Sequence, residues 1–215
     1  PRPGTRLGLA YRSAIDTTLK GDARFRLDEA GIGAAIQGAT GAFRNVDAET
    51  DIELPPMLSF GIHQDIGEQF AVMAEAQWTG WSSFDELVID FDNPAQPDNV
   101  TQFDWDDQWF FAVGGSYRPN DRLTLRVGAA YDQTPTRNRY RTPRIPDADR
   151  YWLSAGVGWQ PLDNLSFDLA YSYILFDDAE VRLSAADRGN ALRGDLRADY
   201  QNQIHVLSVA ARWRF

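Results

Sequence analysis

The sequence predicts an all-β fold, a transmembrane antiparallel up-and-down β-barrel of about eight strands, and three observations carry that prediction. Apolar and polar residues alternate with period two along most of the 215 residues, which suits strands and fits no helix. Tight turns and long polar loops strictly alternate between these segments, as short periplasmic turns and long external loops do in outer-membrane barrels. Bulky apolar side chains also segregate onto one face of each segment, opposite small and charged ones.

Strands are expected at 5–26, 51–64, 68–91, 105–118, 122–134, 149–160, 165–184 and 197–215. The first two rest on Leu7-Leu9-Tyr11 and Leu58-Phe60-Ile62, the third on Phe70, Val72, Ala74, Ala76 and Trp78. Trp109, Phe111, Val113 and Tyr117 mark the fourth. The fifth is clearest: Leu123, Leu125, Val127, Ala129 and Tyr131 oppose Thr124, Arg126, Gly128, Ala130 and Asp132. Tyr151, Leu153, Ala155, Val157 and Trp159 give the sixth, and Leu165, Phe167, Leu169, Tyr171, Tyr173 and Leu175 the seventh. In the last, Leu207, Val209, Ala211, Trp213 and Phe215 interleave with Ser208, Ala210, Arg212 and Arg214. Tight turns are expected at 65–67, 119–121 and 161–164, and long loops at 27–50, 92–104, 135–148 and 185–196.

Composition narrows the function classes. The net charge of -10 and the lack of a Lys/Arg cluster argue against nucleic acid as a partner. Cysteine is absent, which is compatible with an oxidising compartment. No run of eighteen apolar residues occurs and mean hydropathy is -0.43. Membrane strands escape such averages, because each lipid-facing residue is diluted by a lumen-facing one. No leader is visible at Pro1-Arg2-Pro3, so a signal has been removed or an earlier part of a larger protein is missing. Periodicity alone leaves open a soluble lipid-binding barrel with the apolar face turned inward.

The chemistry-bearing residues are few. Ile32, Ile36, Ala39 and Phe43 in the first long loop share one side of a prospective helix, a candidate surface for a greasy guest or for neighbouring loops. Arg12, Glu75, Arg118, Arg126, Asp132, Asp168 and Arg212 fall on the polar face. They are expected to form a lumen network, whose arginines could also hold an anionic head group. Acids at Asp104, Asp106 and Asp107, at Asp147 and Asp149, and at Asp177 and Asp178 suit solvated loops or cations bridging to lipopolysaccharide. His63 and His205 are the only histidines, so neither a His/Cys metal site nor a cofactor is expected. Ser59 and Ser208 lie four and three residues from them along a strand, and no catalytic site is expected.

Several stretches resemble the outer-membrane long-chain fatty acid and hydrophobic compound transporter family. They are Leu7-Gly8-Leu9-Ala10-Tyr11-Arg12-Ser13 with Gly21-Asp22-Ala23; Trp78-Thr79-Gly80-Trp81-Ser82-Ser83-Phe84; Tyr131-Asp132-Gln133-Thr134-Pro135; and Arg141-Thr142-Pro143-Arg144-Ile145-Pro146-Asp147 running into Asp149-Arg150-Tyr151-Trp152. The resemblance implies the C-terminal eight strands of a fourteen-stranded barrel. The family's N-terminal plug and early strands would precede Pro1. It further implies passive uptake of fatty acids or other hydrophobic molecules, with the first long loop helping to form a capture groove. The terminal strand ending at Phe215 resembles the signal read by the barrel assembly machinery. Closure of eight strands alone is geometrically possible, with an interior nearly filled by side chains. A structural or adhesive barrel that transports nothing is the remaining alternative.

Overall fold

The computed structural model describes residues 3–28, 31–186, 190 and 193–215. Eight strands form one antiparallel sheet in the order β1(Thr5–Arg12), β4(Met57–Ile66), β5(Phe70–Thr79), β8(Gln108–Asn120), β9(Leu123–Asp132), β10(Arg150–Leu162), β11(Leu165–Phe176) and β14(Gln203–Trp213). Most of these have the ten or more residues that a tilted strand needs to cross hydrocarbon, about 9–11. Each of the eight expected strands has its counterpart in this sheet.

Five of them are broken and continue beyond the sheet. β1 gives way at Ser13-Ala14 to β2(Ile15–Ala23), and β3(Val46–Leu54) stops at Pro55-Pro56 before β4. Two adjacent prolines supply no N–H to a ladder, so pairing lapses there. The register nevertheless runs on unchanged: Arg12 faces Met57 below the break and Ile15 faces Leu54 above it. β5 ends at Gly80, followed by the 3-10 turn Trp81–Ser83 and β6(Glu86–Phe91). A Cβ at Gly80 would lie 2.9 Å from Trp78 and 3.0 Å from Pro56, so that corner needs glycine. β11 yields to β12(Ala179–Leu183), and β13(Leu196–Tyr200) precedes β14.

The upper segments form two smaller sheets, β2-β3-β6-β7(Asn99–Gln102) and β12-β13. Here the structure departs from the expected boundaries. β7(Asn99–Gln102) lies inside the loop expected at 92–104, where it pairs with β6 from Glu86↔Gln102 to Ile89↔Asn99. β3 likewise begins within the loop expected at 27–50, and β8 starts three residues later than expected. Of the loop expected at 185–196, residues 187–189 and 191–192 lie outside the described residues.

Register places the side chains in rows. Leu9, Phe60, Ala76, Phe111, Tyr131, Tyr151 and Leu175 lie in one row across the sheet, on the bulky face. On the opposite face Gly8, Gly61, Glu75, Ala112, Ala130 and Trp152 make the corresponding row. The bulky face is uncovered: Leu125 is 38% exposed and Val209 72%. Among the described residues, buried apolar ones are few and mostly small, such as Ala71, Ala148 and Val181, and they form no extended apolar core. An uncovered face of this size, row after row of Leu, Val and Phe, suits contact with hydrocarbon and not with water.

The eight strands do not close on themselves. β1 pairs only with β4 and β14 only with β11, so both are open edges among the described residues. Polar-face residues such as Gly8, Ala10 and Arg12 stay exposed instead of filling a narrow lumen. The sheet is therefore an arc of wall.

Candidate functional site

The first long loop folds as α1(Ile32–Thr40). Gly31 and Gly41 bracket it in left-handed conformation, φ 82° and 75°, and the Gly41 N–H donates to Gln37 O, the bond that closes a helix C-terminus. At the N-terminus the Asp28 carboxylate accepts the Ile32 and Gly33 N–H groups, which otherwise have no partner in the first turn. Those bonds hold the Asp28 carboxyl below its ordinary range. Ile32 and Ile36 are 66% and 44% exposed, and Ala39 is exposed beside them. Phe43 diverges from this row. It has φ 58°, sits past the helix end, and packs edge-on against Phe25 with ring centroids 5.6 Å apart.

The C-terminal end of α1 is anchored to the second loop. Phe43 N–H donates to Gln96 Oε1 at 2.8 Å, and Asn93 Nδ2 donates to the Gly41 carbonyl at 3.0 Å. Phe25 also meets Phe91 at 6.1 Å. One end of the helix is fixed by neighbouring loops while its isoleucines face outward.

On the polar face Arg126 and Asp168 meet at 3.1 Å across β10. Gly158 lies between them: a Cβ there would fall 2.9 Å from the Asp168 carboxylate and 3.2 Å from the guanidinium. Asp132 instead joins Arg150 at 3.0 Å and accepts from Gln108. Arg12, Glu75, Arg118 and Arg212 are not brought together with these pairs: their side chains make no hydrogen bond or ion pair among the described residues. The polar side chains thus form separate pairs.

The loop acids are largely engaged by protein donors. Arg137 spans Asp104, at 3.1 Å, and Asp106, tying the third long loop to the segment before β8. That partnership raises the Arg137 pKa and lowers that of Asp106. Asp107 accepts from the Ser82 N–H at 3.0 Å and the Trp78 indole at 3.1 Å, which lowers its pKa as well. Asp149 accepts from Tyr131 and Thr134, and Asp147 from Thr134 while pairing with Arg150 at 3.5 Å.

Arg141 was not singled out by sequence reasoning, yet it is only 4% exposed. Its guanidinium donates to Asp147 O at 2.6 Å, Asn138 Oδ1 at 2.5 Å and Glu180 O at 3.0 Å. Burial lowers its pKa, and the surrounding carboxylates oppose that shift. Its only sequence signal is its place in the Arg141-Thr142-Pro143 stretch.

The histidines belong to the wall. His63 lies 3.1 Å from the Arg6 guanidinium and 3.8 Å from Asp65. His205 bonds Tyr171 Oη at 2.6 Å and stacks on Tyr173 at 4.7 Å. Ser208 and His205 sit on opposite faces of β14, three residues apart.

Comparison with known proteins agrees with this architecture. A family model described as outer membrane protein transport protein (OMPP1/FadL/TodX) matches residues 1–215. The crystal structure of a Pseudomonas aeruginosa FadL homologue superposes with TM-score 0.87 at 31% identity, covering 99% of this chain and 50% of that one. Outer membrane protein P1 of Haemophilus influenzae is 31% identical over 209 residues, 94% of this chain and 41% of the relative. The long-chain fatty acid transport protein of Escherichia coli K12 is 31% identical over 173 residues, 79% of this chain and 38% of the relative. The chain thus spans half or less of the length of these proteins. With its strands, its turns and its whole length matched, it belongs to the OMPP1/FadL/TodX family of outer-membrane β-barrel transport proteins.

Proposed function

We propose that the outer-membrane protein containing this chain takes up long-chain fatty acids or other hydrophobic small molecules passively, by capture at its loops and diffusion toward the membrane. The observation that carries this reading is the uncovered apolar side of α1, where Ile32 and Ile36 stand exposed on a helix anchored at its far end. Each methylene withdrawn from water contributes roughly 0.8 kcal/mol, so covering about ten would offer on the order of 8 kcal/mol before ordering costs. That corresponds to affinity near the micromolar range. The name of the Escherichia coli relative, long-chain fatty acid transport protein, supports the same class of guest. No catalytic step and no cofactor enter this reading.

Phe43 contributes by fixing the helix end against Phe25, and Ala39 by leaving room beside Ile36. The lumen pairs Arg126–Asp168 and Asp132–Arg150 keep the inner wall polar below the capture surface. Outer-membrane lipid and lipopolysaccharide pack against the bulky face, and the assembly machinery reads the alternating residues of β14 through Phe215.

Uptake of a fluorescent fatty acid by cells expressing the whole protein tests the reading. Ile36→Asp is expected to lower initial uptake by about tenfold, as roughly 1.4 kcal/mol of lost burial requires. Unchanged uptake with normal surface abundance would favour a structural or adhesive barrel.

A further inference from the structure

We propose that His205 and Gln203, on the bulky face of β14, hold a phosphate of lipopolysaccharide through a pair of outward donors. Below them this face of the strand is apolar, with Leu207, Val209, Ala211 and Trp213 in succession. Their own rows across the wall carry Leu153 and Leu175. An imidazole and an amide turned toward hydrocarbon cost free energy unless their polar atoms find partners.

The wall itself partners only their acceptors. Tyr171 Oη lies 2.6 Å from His205 Nδ1, and Tyr173 Oη donates to Gln203 Oε1 at 2.9 Å. The Tyr173 ring also stacks on the imidazole, with centroids 4.7 Å apart and planes 21° from parallel, which holds its orientation. With the Tyr171 hydroxyl donating, the neutral imidazole carries its proton on Nε2. What remains of both side chains is then donors alone, the His205 Nε2–H and the Gln203 amide N–H groups. Both residues are exposed on this face. Tyr131, in the same row as Gln203, differs: its hydroxyl is spent on Asp149 within the protein.

Depth and chemistry together select the phosphate. His205 and Trp213 are eight positions apart on β14. That is about 27 Å along a strand, or about 19 Å of height at a tilt near 45°. The apolar band of an outer-membrane barrel is about 25 Å tall and ends at aromatic girdles. Trp213 stacks on Phe215 at the end with the tight turns, so His205 and Gln203 reach the opposite margin, on the side of the long loops. Headgroups of the outer leaflet begin there. A phosphate offers acceptors and a charge that strengthens each bond, so it fits paired donors better than a sugar hydroxyl does.

This gives a place to the lipid contact proposed for the bulky face and does not depend on uptake of a hydrophobic guest. The test uses the whole protein in detergent, incubated with diphosphoryl lipid A or with the same lipid stripped of both phosphates, the bound lipid being counted by native mass spectrometry. The diphosphoryl form is expected to be retained about tenfold better, as charge-assisted bonds require. H205L/Q203L, whose side chains suit hydrocarbon, is expected to abolish that preference. Y171F/Y173F keeps both rings, removes the bonds that turn the donors outward, and is expected to weaken it. Equal retention of the two lipids by the parent would overturn the inference, and so would a preference that survives H205L/Q203L. Should heat-modifiable gel migration show that H205L/Q203L does not assemble, Y171F/Y173F is read by the same criteria. Ile36→Asp is expected to leave the preference intact, so this site and the uptake reading fail separately.

Discussion

Arg141 shows how much one side chain can organise. Buried and donating to Asp147, Asn138 and Glu180, it joins the third long loop to β12. Arg141→Ala leaves buried acceptors without donors, which costs about 1–3 kcal/mol. The expected result is faster hydrogen exchange across residues 134–149 with unchanged exchange in β9 and β10. The carboxylates nearby set a pH dependence. Asp106 and Asp107 have pKa values below the ordinary 3.8, so their bonds contribute full stability above that value. The contribution is lost as pH falls below 3.8 through the lowered values. Exchange in the loops, corrected for intrinsic rates, is expected to stay constant from neutral pH to about 5 and to rise in stronger acid. These partnerships were not legible in the sequence. Arg137 reaches Asp104 and Asp106 from about thirty residues away, and no local rule prefers them to Asp177 or Asp178.

At the scale of elements, whatever repeats with a short period was readable. The apolar spacing of Ile32, Ile36 and Ala39 located α1, and the period-two rows located all eight wall strands. The period-two pattern runs on through 51–64 and hides the break that the pair Pro55-Pro56 makes between β3 and β4. β7 was missed because Asn99-Val100-Thr101-Gln102 is too short to show alternation and owes its form to pairing with β6. Phe43 was grouped with the isoleucines by helical spacing, but Gly41 ends the helix first. Ile36→Asp should therefore leave thermal stability within about 0.5 kcal/mol of the parent, since the site is exposed. Phe43→Asp should also loosen the contact with Phe25. Thermal unfolding of both variants checks the contrast.

For the molecule as a whole, the two faces of the wall obey different solvents. Val127, midway along β9 and 67% exposed, belongs on the hydrocarbon side. Val127→Arg is expected to destabilise the barrel by about 2–4 kcal/mol, measured by urea unfolding from vesicles, because a guanidinium at mid-depth has no water. Thr124→Arg, one strand face away, should cost under about 1 kcal/mol. The membrane wall and the outer arms are also kept in step by an equality that is easy to overlook. Two residues, Ser13-Ala14, separate β1 from β2, and two, Pro55-Pro56, separate β3 from β4. Because side chains alternate sides at every residue, an even spacer keeps inside and outside in phase across the gap. Losing one residue from both spacers would preserve every pairing and still turn the arm inside out, so the gap works as a parity lock between the two compartments that the barrel joins.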